Sequence, residues 1–92
     1  MEEEKVNLKD VLYYARALPD VGVYDVCELK VRAVYDTWFS AIDKDTKRAY
    51  LFNYSDIGKV VFRDRLSALN VVIDAEIDHG RRFFEKNNDI YE

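Results

Sequence analysis

Val26-Cys27-Glu28-Leu29-Lys30-Val31-Arg32-Ala33-Val34 alternates apolar and polar side chains with a period of two. Cys27, Leu29, Val31 and Ala33 share one face, and Val26, Glu28, Lys30, Arg32 and Val34 share the other, the pattern of a strand packed on one side. The second face mixes both charges, as a solvated sheet face does.

Downstream, two further β-rich runs, residues 37–42 and 48–52, flank Asp43-Lys44-Asp45-Thr46-Lys47, a turn-forming cluster of hairpin length. A fourth run, residues 59–62, follows Ser55-Asp56-Ile57-Gly58. Short strands in succession, with no crossover helices between them, favour antiparallel pairing. Upstream, Leu8, Val11, Leu12, Ala15 and Leu18 recur at helical spacing, Asn7 stands in a capping position and Pro19-Asp20 ends the pattern. A helix is therefore expected over residues 8–18. After the strands, Asp64 caps a long helical segment in which Leu66, Leu69, Val72, Ile73, Glu76, Ile77 and Phe84 approximate one stripe, with Asp78 and Arg82 spaced as an ion pair. Gly80 weakens its far end, and residues 1–6 and 87–92 read as frayed termini. The expected fold is α+β, a small antiparallel β meander curled into an SH3-like barrel or curved sheet, with an N-terminal helix and a longer C-terminal helix.

The chain of 92 residues makes one domain, residues 1–92, near the lower end of what buries a core unaided. Hydrophobic residues make up 49% of it, which is enough for that core. A single cysteine, Cys27, offers no internal disulfide and fits a reducing compartment, so a cytoplasmic protein is expected. The start, Met1-Glu2-Glu3-Glu4-Lys5, is acidic where a secretory signal is basic, and no long apolar run suggests a membrane role. The net charge of −4 disfavours a duplex-binding domain, which usually carries a basic surplus. Residues 23–62 are electroneutral, with six acids against six bases, while the two ends are acidic.

Candidate chemistry is sparse. His79 is the only histidine, and Glu76 three residues before it makes one Glu-x-x-His element, whereas a di-iron site needs two such elements and further glutamates. Cys27 lies on the apolar strand face, where a thiol serves as a small core hydrophobe. Asp43-x-Asp45 opens like a calcium loop, but Arg48 stands where the sharp-turn glycine belongs and Tyr54 where the closing acid belongs. Ser40, Ser55 and Ser67 lack glycine-flanked elbows, and Gly22, Gly58 and Gly80 are scattered singly. No cofactor, metal site or catalytic set is expected.

Thirteen aromatic side chains, seven of them tyrosine, exceed what one small core covers. Some of Tyr24, Tyr35, Trp38, Tyr50 and Tyr54 should reach the surface, where aromatics beside Arg and Lys suit a protein interface or a platform for unpaired bases. Lys30, Arg32, Lys44, Lys47 and Arg48 discriminate between the two: convergence beside Trp38 and Tyr50 would make a single-strand groove. The expected docking face comprises Tyr35, Trp38, Tyr50 and Tyr54 with Arg32 and Arg48. A homodimer through the last helix and Phe83-Phe84 is a further option.

Tyr14-Ala15-Arg16, Leu18-Pro19, Gly22-Val23-Tyr24-Asp25-Val26 and Glu28-Leu29-Lys30-Val31-Arg32 resemble segments of small uncharacterised proteins of Firmicutes phages and prophages. Trp38-Phe39, Ile42-Asp43-Lys44, Lys47-Arg48-Ala49-Tyr50-Leu51-Phe52, Asp56-Ile57-Gly58-Lys59, Val61-Phe62 and Arg65-Leu66-Ser67-Ala68-Leu69 look like the same group. The resemblance covers residues 14–69 and brings no catalytic residues. What it implies is a phage accessory protein in the host cytoplasm, acting by stoichiometric binding to a host protein. An inhibitor of an anti-phage defence system such as a CRISPR effector is one such role, and a single-stranded nucleic-acid-binding barrel is the alternative.

Overall fold

The computed structural model describes residues 5–91, with side chains through Gly80. Five strands and one helix follow in order: β1 (Val11–Leu18), β2 (Val23–Val34), β3 (Trp38–Asp43), β4 (Ala49–Asn53), β5 (Val61–Phe62) and α1 (Arg65–Tyr91). Short 3-10 turns at Pro19–Val21 and Tyr54–Asp56 interrupt the connections. The strands form one antiparallel sheet in the order β4-β3-β2-β1-β5, curled into a half-barrel.

The helix expected over residues 8–18 is a strand instead. β1 pairs with β2 along its whole length, from Val11 opposite Lys30 to Leu18 opposite Val23. Its inward residues Leu12 and Tyr14 join the main core, while Tyr13 and Ala15 on the other face pack under α1. A strand covered on both faces loses its alternation, and the apolar run that remains mimics a helical count. Val11, Tyr13 and Tyr14 favour extended backbone, and Gly22, at φ +69°, closes the hairpin in a left-handed conformation that suits glycine.

Within the curl, Leu12, Leu29, Phe39 and Val61 are fully buried, surrounded by Cys27, Val31, Ala41, Phe52 and Tyr54. Val6 also belongs to this core, so the chain is anchored before residue 7 rather than frayed there. The second, smaller core lies between the outer sheet face and the helix, where Ala15, Ala68 and Val72 meet Tyr13, Tyr24, Val26 and Phe62. Small residues on α1 allow the helix close to the sheet. The expected stripe holds at Val72, which faces the sheet beside Ala68 and Val71, whereas Leu66, Leu69, Ile73 and Ile77 face away. Asp64 caps α1 as expected, its carboxylate accepting the Ser67 N–H at 2.9 Å and hydroxyl at 2.8 Å. The helix continues to Tyr91, through the residues expected to fray. The side chains of Arg82, Phe83 and Phe84 lie outside the described residues.

β5 is shorter than expected and does not extend the meander beside β4. Residues 54–60 cross from the β4 edge to β1, where Val61 and Phe62 pair with Tyr14 and Tyr13. Tyr54 seals this crossing: its ring packs on Phe39 and its hydroxyl donates to the Tyr35 carbonyl at 2.8 Å. A register shift between Val31 and Ala33 places Ala33 opposite Ser40, so Ala33 leaves the face of Cys27, Leu29 and Val31.

The β3–β4 hairpin is held by Asp43, whose buried carboxylate accepts the N–H groups of Asp45 at 2.7 Å and Thr46 at 3.0 Å. These bonds favour the ionised form and hold Asp43 below the usual carboxylate range. Because the folded pKa is lowered, the stabilisation is present above the unfolded value of about 3.9 and is lost as pH falls through the folded one. Asp43→Ala is expected to cost about 1–2 kcal/mol at neutral pH. Urea titrations should also show the variant's stability falling less than the wild type's as pH drops below about 4.

Candidate anion-binding groove

Because Leu29 and Val31 point into the core, Lys30 and Arg32 of β2 point outward. They do so beyond the area covered by α1, which packs on the β1, β2 and β5 side of the sheet. There they line a groove of about 890 Å3. Leu8, Lys9 and Val11 close one wall, Ile42 contributes from β3, and Lys44 and Lys47 come from the β3–β4 turn. The Lys9 N–H donates to the Val31 carbonyl at 2.9 Å and the Val31 N–H to the Asp10 carbonyl at 2.8 Å, fixing the first wall against β2. The Lys44 N–H donates to the Glu28 carbonyl at 3.0 Å and anchors the turn on the other side.

Five cationic residues, Lys9, Lys30, Arg32, Lys44 and Lys47, therefore line one groove together with apolar Leu8, Val11 and Ile42, in a chain that is net acidic. Two acids share the groove. Glu28 lies 3.3 Å from Lys44, and the Asp43 carboxylate is turned into the hairpin and occupied by backbone N–H groups. Among the described residues no ion pair engages Lys9, Lys30, Arg32 or Lys47. Counted against Glu28 and Asp43, the five cations leave the groove lining with a net positive formal charge, which favours an anionic partner.

Backbone geometry singles out the same place. Among the described residues the non-glycine positions with left-handed backbone are Lys9, at φ +72°, and Lys47, at φ +63°. Both line the groove. A side chain at such a position costs about 1–2 kcal/mol that glycine would avoid, so the fold retains lysine against its local preference.

The residues expected to form one docking face are divided. Arg32 lies in the groove, while Arg48 is exposed just after the turn, its carbonyl accepting the Asp43 N–H at 2.8 Å. Tyr35 and Trp38 stack with centroids 4.1 Å apart at the other end of β3, about 17 Å along the strand from the turn. Tyr35 remains 49% exposed. Tyr50 and Tyr54 belong to the core instead: Tyr50 packs edge-on against Tyr14, and Tyr54 is 2% exposed. Inward alternation along β4 and the crossing after it put them there. Thus Lys30, Arg32, Lys44 and Lys47 converge, but without Trp38 or Tyr50. Sequence reading missed Lys9, Leu8 and Val11 because it placed them on a helix.

A Cys27–His79 pair does not form. Cys27 lies in the core within the curl, whereas His79 on α1 meets Tyr24 on the helix-covered face, its Nδ1 2.7 Å from the hydroxyl. Burial, with Asp25 adding to it, pushes the Cys27 thiol up to about 11, which suppresses the thiolate. Asp25 instead accepts two bonds from Arg16 at 2.9 and 2.6 Å, which lower its own pKa. Among the described residues no cluster of His, Cys, Asp or Glu could hold a metal.

Lys9→Gly and Lys47→Gly should each stabilise the fold by about 0.5–1 kcal/mol in urea denaturation, since glycine takes up the left-handed backbone without penalty.

No family model matches this chain, and no curated protein or solved structure matches it.

Proposed function

We propose that the protein is a non-enzymatic binding module that docks on an acidic, partly apolar segment of another protein through the groove beside β2. The observation that carries this reading is the set of five cationic residues lining one groove with apolar side chains, with left-handed lysines in both walls. Cation clusters recognise carboxylate-rich motifs through charge-assisted hydrogen bonds, while Leu8, Val11 and Ile42 offer a surface for aliphatic side chains. A small curled sheet, which we read as SH3-like, suits such a task, since a rigid scaffold fixes the charged side chains in place. The resemblance to phage accessory proteins supplies a context in which the partner is a host protein, a component of an anti-phage defence system, met in the host cytoplasm.

A single-stranded nucleic acid is the second reading, favoured by the same cations. The groove lining contains no aromatic ring on which a base could stack, and for that reason the acidic protein segment is preferred.

Fluorescence anisotropy separates the two, using a labelled peptide that alternates Glu with Leu and an oligo-dT of equal charge. The peptide should bind more tightly than the oligonucleotide, and Lys30→Glu with Arg32→Glu should weaken it by about tenfold or more. Lys9→Gly and Lys47→Gly should weaken it too, although they stabilise the fold. Peptide binding indifferent to these changes would refute the groove. Tighter oligo-dT binding with a steep salt dependence would transfer the site to nucleic acid.

A further inference from the structure

The outward side of α1 carries an apolar row that the fold does not use. Leu66 is 65% exposed, Leu69 40%, Ile73 43% and Ile77 55%. Their spacing of three, four and four residues aligns them along three turns. The residues buried against the sheet, Ala68 and Val72, lie on nearly the opposite side of the helix. Single exposed aliphatic residues are ordinary on protein surfaces; a continuous row on a helix whose other side is already packed is a second packing surface.

We infer that this row is the interface between two copies of the chain, paired antiparallel about a two-fold axis near residues 71 and 72. The row is self-complementary under that operation. Leu66 stands level with Ile77 of the partner subunit and Leu69 with Ile73 of the partner subunit, and symmetry repeats both contacts, giving four aliphatic layers. Charge specifies the direction. Arg65 and Glu76 lie on one flank of the row, both exposed. The antiparallel operation sets Arg65 beside the partner's Glu76, about 3 Å from level along the helix axis, and Glu76 beside the partner's Arg65. On the other flank, Asn70 meets the partner's Asp74 and donates from its amide. In a parallel pair the facing flanks differ, and Glu76 would approach the partner's Asp74, a like-charge contact. Exposed ion pairs add little affinity, so the aliphatic layers hold the pair and the charges choose its orientation.

Three turns of helix bury less than a standard interface, so the dimer should be weak, with a dissociation constant of about 10–100 µM. Sedimentation equilibrium of the full chain should show a monomer–dimer exchange in that range. Ile73→Glu should abolish it while leaving the circular dichroism spectrum unchanged, because the side chain is not part of either core. Arg65→Glu should weaken the dimer, and Arg65→Glu combined with Glu76→Arg should restore it, because the swap regenerates both antiparallel pairs. A chain that stays monomeric to about 1 mM, or a dimer that survives Ile73→Glu, would overturn the interface. Failure of the double variant to rescue Arg65→Glu would overturn the antiparallel register.

Discussion

The pairing of β1 with β2 is the contact on which the other elements depend. Eight consecutive residue pairs join the two strands, and both faces of the ladder are covered except at its Val11–Lys30 end, which opens into the groove. One face closes the core of Leu12, Leu29 and Phe39; the other supplies the floor on which α1 rests through Ala68 and Val72. Removing the ladder would separate two cores at once. Its length also sets the site, because β2 extends past the reach of α1 and carries Lys30 and Arg32 into the open.

How much of this was legible in the sequence depended on how each segment is buried. β2 lies partly open on its outer face, so Lys30 and Arg32 interrupted its apolar residues and the alternation was readable. β3, β4 and the turn between them were read for the same reason, helped by Asp43, whose side chain commits the backbone to a turn. β1 failed because burial on both faces erased the signal that distinguishes period two from period 3.6. Apart from Val72, the α1 stripe failed differently: the larger residues Leu66, Ile73 and Ile77 outweighed alanine in the pattern, yet close approach to the sheet selects small side chains such as Ala68. The candidate groove was half legible. Lys30, Arg32, Lys44 and Lys47 were recognisable as a set, but their separation from Trp38 and Tyr50 follows from strand faces and from the crossing at residues 54–60, which no local pattern encodes.

Net charge is a poor guide to such a protein. The chain carries a surplus of four negative charges, yet the groove gathers five cations and neutralises two acids locally, one by Lys44 and one by backbone N–H groups. The acids left over lie largely toward the two ends of the chain.

The passage of residues 54–60 from one sheet edge to the other divides the chain by sequence distance. β1 to β4 form successive pairs between neighbours, contacts that close short loops. β5 and α1 instead return to β1 after some forty-seven residues, from Tyr14 to Val61, and must close a long loop to do so. The meander can therefore assemble as a unit before the helix is seated. Because β5 adds only two residues to the ladder, helix and final strand can also leave together, a cooperative opening below the global one that would expose the second core and withdraw Val61 from the first.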